Sequence, residues 1–177
     1  QYLAKATFDW SRVHLFWVDE RAVPPGDPQS NYTLAHDNWL EVINYPPANI
    51  HRMQAELPVS EAAERYADDI RGHFHLNEGE FPVFDIIQQG MGPDVHTASL
   101  FPGADRLEEA LSPQAPLLLP MRAEAAGEPR ITLTAPVLRG AFNIHILITG
   151  QEKRDALERA LTLPPEQAPV RAVLDNA

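Results

Sequence analysis

The sequence contains no cysteine, an absence that excludes disulfides, thiolate nucleophiles and cysteine-held zinc or iron–sulfur centres. Long apolar stretches are missing as well. Hydrophobic residues make up 44% of the chain but fall in short runs, well under the roughly 20 residues that a membrane helix needs. The opening QYLAKATFDW has neither the basic start nor the apolar centre of a signal peptide, so a cytoplasmic protein is expected. Positive charge is scarce: lysine and arginine number 14 against 25 acidic residues, the formal charge is −11, and the lysines are only Lys5 and Lys153. So acidic a chain disfavours nucleic acid and anionic membranes as partners, because both require a basic face that releases counterions. An anionic small molecule must therefore be met by a local cluster of cations. Two catalytic signatures are also absent, the G-x-S-x-G elbow that exposes a serine nucleophile and the H-E-x-x-H zinc helix. His73 and His75, two apart in a helical pattern, face different directions, and none of the histidines shows ligand spacing, so no metal is expected.

What is present is a regular alternation. At 177 residues the chain suits one domain, 1–177, with a sizeable core. Five apolar runs read as strands: VHLFWV (13–18), FDIIQ (84–88), RITLTA (130–135), NIHILIT (143–149) and VRAVL (170–174). Several are apolar on both faces, as strands are when helices cover both sides of a sheet. Between them lie helical patterns at 31–43, with Ser30 as N-cap, at 61–76, where Ala63, Tyr66, Ala67, Ile70 and Phe74 recur at helical spacing, and at 153–161. The proline- and alanine-rich stretch 112–129 reads as a long surface connection. Strand and helix alternating in this way predict an α/β fold of three layers, Rossmann-like, with a mainly parallel sheet.

Ligands of such folds bind beyond the carboxyl ends of the strands. Three polar constellations sit at those ends. One is Asp19-Glu20-Arg21, followed by a turn and Ser30-Asn31; another is the bend GMGPDVHTASLFPG (90–103); the last is 150–153, where Lys153 opens a helix whose amides would help it hold an anion. Within the bend, Asp94 and His96 supply an imidazole able to take a proton from water and a carboxylate able to fix its tautomer. Taken alone, an Asp-x-His pair is more often a capped turn, and an Asp-Glu-Arg run more often a solvated loop with a weak ion pair.

Together the segments are specific. DER then SNY, FDIIQQGMGPDVHTASLFPG, PRITLT, NIHILITGQEK and finally VLDNA resemble the 6-phosphogluconolactonase family in kind, order and spacing. The resemblance implies the α/β fold shared with glucosamine-6-phosphate isomerases, and hydrolysis of a phosphorylated sugar lactone without metal or organic cofactor. It implies His96 as general base with Asp94 supporting it, and Arg21, Lys153 and Arg130 holding the phosphate, with Asp19 and Asn31 beside them. Arg130 reads equally as a structural ion-pair partner. An aminosugar-phosphate isomerase is the alternative within the same fold, but those sequences resemble D-G-H with a downstream glutamate, where this chain has Ser99-Leu100-Phe101-Pro102. A non-catalytic sugar-phosphate-binding module is the third reading.

Two departures stand out. The family begins with a further segment carrying a glycine-rich G-G-S-T-P type loop, whereas the first glycine here is Gly26. The chain thus reads as the later two-thirds of a member, with apolar sheet edges left open if that segment is missing. Val95 stands where the family has glycine; if the position needs positive φ, valine costs about 1–3 kcal/mol, and if it abuts the sugar, valine blocks it.

Overall fold

The computed structural model describes residues 3–174. Strands are β1 (Leu15–Phe16), β2 (Asp19–Arg21), β3 (Ile50–His51), β4 (Phe84–Gln89), β5 (Leu118–Met121), β6 (Arg130–Leu133) and β7 (Ala141–Ile146). Helices are α1 (Asn31–Ala35), α2 (Val59–Phe74), α3 (Leu107–Leu111), α4 (Ala135–Leu138), α5 (Gln151–Ala160) and α6 (Arg171–Leu174). The parallel pairing expected of an α/β fold is realised in β1–β3 and β4–β7. A third sheet, in the order β2-β6-β5, is antiparallel, and the apolar pattern did not announce it.

The reason is β5. It lies inside the proline- and alanine-rich stretch 112–129 expected to be a surface connection, yet Leu117, Leu118, Leu119 and Met121 are buried in the core. Pro120 has no N–H to give a ladder, and it is tolerated because β5 is the edge of its sheet. The run 170–174 is also corrected. Instead of a strand it forms a single helical turn after Pro169, with the Val173 and Leu174 amides donating to the Val170 carbonyl at 3.1 Å. Residues 175–177, the end of the VLDNA motif, lie outside the described residues.

The core is built on α2. Ala62, Ala63, Tyr66, Ala67 and Ile70 form its buried stripe and pack on β5 and β6. The helix ends where His75 turns left-handed at φ 54°. Tyr66 fastens this helix to the chain between β1 and β2: its hydroxyl accepts from the Trp17 amide at 2.7 Å and donates to the Trp17 carbonyl at 3.1 Å. Burial raises the Tyr66 phenol well above its ordinary value. Tyr66→Phe leaves both Trp17 groups without that partner, and a stability loss of about 1–3 kcal/mol is expected. Equilibrium denaturation reads it, and a loss under about 0.5 kcal/mol would mean that water replaces the hydroxyl.

The β4–β7 pair departs from the expectation of strands covered on both faces, since Ile86 is 61% and Phe142 77% exposed. Between this pair and β1 lies an apolar cavity of about 800 Å³, lined by Phe16, Phe74, Phe84, Ile86 and Leu133 among others. Among the described residues no helix is long and apolar enough to cross a membrane.

Candidate active site

A second cavity, about 430 Å³, opens at the ends of β2 and β4. Its walls hold six of the seven site residues expected from sequence: Asp19, Arg21, Asn31, His96, Arg130 and Lys153. The seventh, Asp94, stands directly behind His96.

One buried carboxylate organises the first wall. Glu20, 2% exposed, accepts from the amides of Arg21, Asn31 and Tyr32, each at 2.8 Å, and from the Ser30 hydroxyl at 3.0 Å. An acidic side chain taking the orphan N–H groups of α1 satisfies helix-start donors and favours the helix dipole. Ser30 is the expected N-cap, its hydroxyl accepting from the Thr33 amide. This clamp fixes Asn31, whose side-chain Nδ2 donates to the Asp19 carbonyl at 2.9 Å and to Asp19 Oδ1 at 3.3 Å. Arg21 is steered by the Gln29 carbonyl at 2.5 Å and by Asn31 Oδ1 at 3.4 Å. In the sequence Glu20 stands out only as part of a polar run; alternation along β2, which turns it inward, is the local signal.

Asp19 accepts from the Ser99 hydroxyl at 2.6 Å. Burial raises its carboxyl above the usual range, with the Ser99 hydrogen bond and the Arg130 and Arg21 charges pulling the other way. Arg130 lies directly opposite Arg21 in the antiparallel register of β2 and β6. It is buried, donating to the Ala126 carbonyl at 2.8 Å and the Glu128 carbonyl at 3.3 Å, with its guanidinium 5.7 Å from the Phe101 ring. Burial, then the nearby Arg21 charge, lower its affinity for the proton. Like charges opposed across a ladder are unfavourable, and an anion between them removes that cost. No salt bridge involves either arginine or Lys153 among the described residues. Lys153, in the first turn of α5, faces the same cavity.

The bend 90–103 supplies the second wall. His96 Nδ1 lies 2.5 Å from Asp94 Oδ1, and the ring stacks on Phe101 at 4.2 Å. A carboxylate can only accept, so Nδ1 carries the hydrogen and Nε2 presents its lone pair. Thr97 Oγ1 sits 2.9 Å from both Gln89 Oε1 and the Gly90 carbonyl, anchoring the bend to the end of β4. Gly92 lies against the pair: a Cβ there would run into the His96 ring and the Asp94 carboxylate. Gln88, Gly92 and Pro93 also line the cavity; of these, Gly92 was legible only as part of a glycine-rich bend.

Val95 is left-handed, at φ 63°. The side chain does not line the cavity; it is buried with Met91, Ala156, Ala160, Ala168 and Val170. Burying a valine contributes roughly 1.5–3 kcal/mol, enough to offset about 1–3 kcal/mol of backbone strain. At Val95 the backbone is therefore strained, and the cavity is not obstructed.

Fold and site together define an α/β protein with a cation-lined cleft at its strand ends and an imidazole–carboxylate pair in its wall. The chain belongs to the glucosamine-6-phosphate isomerase/6-phosphogluconolactonase family, whose sequence model matches residues 1–177. It is 36% identical over 174 residues to a 6-phosphogluconolactonase of Synechocystis, covering 97% of this chain and 70% of that protein. With a chloroplastic 6-phosphogluconolactonase of Arabidopsis thaliana the identity is 35%, over 88% of this chain and 49% of the relative, so the chain spans about half of that protein. The crystal structure of a 6-phosphogluconolactonase from Thermotoga maritima superposes with a TM-score of 0.81 at 32% identity, over 97% of this chain and 72% of that one.

Proposed function

We propose that the chain hydrolyses a phosphorylated sugar lactone, 6-phosphogluconolactone, to the open acid, using His96 as general base. One observation carries the reading: Arg21 and Arg130, opposed in register, share a single cavity with Lys153 and with the Asp94-held imidazole. The cations receive the phosphate, guanidinium through paired hydrogen bonds and ammonium as a point charge. Held at that end, the lactone is kept in reach of Nε2. A water gives its proton to Nε2 and attacks the carbonyl carbon; the tetrahedral intermediate then collapses, the ring C–O bond breaks, and the imidazolium returns the proton to the leaving ring oxygen. Asp94 stabilises the imidazolium meanwhile. Asp19 and Asn31 face the sugar hydroxyls. The Gly92, Val95, His96, Ser99 and Leu100 amides already donate within the protein, so the oxyanion is met by the remaining amides of the bend or by the cations.

The test is lactone hydrolysis with the spontaneous rate subtracted, in the chain and in Arg21→Ala. Loss of charge-assisted hydrogen bonds of about 1.5–3 kcal/mol is expected to lower kcat/KM roughly 10–100-fold for the phosphorylated lactone, chiefly through KM, and to leave unphosphorylated gluconolactone nearly unaffected. An equal loss on both substrates would remove Arg21 from the phosphate site. Ammonia release from glucosamine 6-phosphate by the unmodified chain would instead establish the isomerase chemistry.

A further inference from the structure

Away from the cleft, three histidines from separate segments converge. His14 precedes β1, His51 is in β3 and His73 is in the last turn of α2; each offers one ring nitrogen, and the three nitrogens lie within 4.8 Å of one another. His14 Nδ1 is 3.0 Å from His51 Nε2. The His14 and His73 ring centroids are 4.5 Å apart, and those of His51 and His73 4.9 Å.

The middle ring is already oriented. His51 Nδ1 lies 2.9 and 3.0 Å from the two oxygens of Asp69, one helical turn before His73 on α2. The carboxylate must accept, so Nδ1 holds the hydrogen and Nε2 directs a lone pair toward His14. His51 is further fixed by stacking on Phe16 at 4.0 Å and 8°. A carboxylate that holds one imidazole nitrogen so that the other is free for a cation is the usual outer-shell arrangement of histidine metal sites.

We propose that His14, His51 and His73 bind one divalent transition metal, zinc being the first choice, with Asp69 orienting His51. Imidazole nitrogen suits zinc, and Zn–N bonds of about 2.0–2.1 Å set tetrahedral ligands about 3.4 Å apart. The His14–His51 pair is already inside that spacing, and the exposed His14 and His73 rings rotate to complete it. His14 moves its hydrogen from Nδ1 to Nε2, which frees Nδ1 without changing its charge. The ion would join the β1–β3 pair to α2 beside the 800 Å³ cavity, which His14 and His73 also line.

Zinc titration against a chromophoric chelator, with cobalt as the spectroscopic probe, tests this on the chain. One equivalent of zinc is expected, and visible d–d bands from tetrahedral cobalt. His51→Gln and His73→Gln are expected to abolish both, Asp69→Asn to weaken binding about 10–100-fold, and His96→Ala to leave them intact. His73 is exposed at a helix end, so His73→Gln keeps the test decisive if His51→Gln unfolds, and circular dichroism checks each fold. At free zinc a hundred times the dissociation constant, the folded-to-unfolded ratio rises about a hundredfold, lifting the melting temperature. Absence of a saturable equivalent, binding that survives His73→Gln, or binding that disappears in His96→Ala overturns the proposal.

Discussion

Replacing His96 with alanine is expected to lower lactone hydrolysis by about 10²–10⁴-fold, the range that a positioned general base contributes. The expectation follows from geometry. Asp94 engages Nδ1 at 2.5 Å and Phe101 covers one ring face at 4.2 Å, so the remaining nitrogen is the one basic atom of the ring presented to the cavity. The loss should fall on kcat with KM little changed, because the arginines and Lys153 proposed to receive the phosphate are untouched. His96 is partly exposed, so its removal leaves the core packing in place and the melting temperature should move little. Activity within tenfold of the parent, after the spontaneous rate is subtracted, would show that another group activates the water.

Gly92→Ala is expected to act on the same chemistry without removing any functional group. The backbone of Gly92 is not in the left-handed region, so alanine is allowed there, and the consequence lies entirely in what its methyl group meets: the His96 ring and the Asp94 carboxylate. Neither is backbone, and both shift together. A displacement of about 1 Å at a catalytic group costs on the order of a hundredfold in rate, and kcat is expected to fall by that amount while KM for the phosphorylated lactone changes little. Thermal unfolding separates this from a folding defect. Near-parental kcat would mean that the imidazole works from a second position, and the proposed orientation by Asp94 would then be wrong.

Much of the site was legible because its residue types are chemically scarce in this chain. With 14 basic residues and a formal charge of −11, cations at strand ends stand out, and the Asp-x-His bend beside them needed little geometry to be noticed. Glu20 escaped notice: alternation along the three residues of β2 is the one local sign that it turns inward to hold the first turn of α1, and an all-polar run hides it. Val95 was flagged, but its effect depended on φ and on neighbours in α5 and beyond, and neither is written locally. Strand β5 was misread because Pro120 and the surrounding prolines and alanines erase the period of two. The run at 170–174 was misread because a short apolar segment has the same composition in a strand as in a buried helical turn.

Local chemistry in the sequence determined the α/β alternation, the Ser30 cap, the apolar stripe of α2 and the identity of the groups fit to meet an anion and a water, because each depends on spacing within a few residues. The tertiary structure alone decided that Arg21 lies opposite Arg130, that Val95 packs away from the cavity, that the antiparallel β5 closes the core, and that His14, His51 and His73 face one another. Those relations join residues far apart in the chain, and register and packing fix such distances only once the whole core has formed.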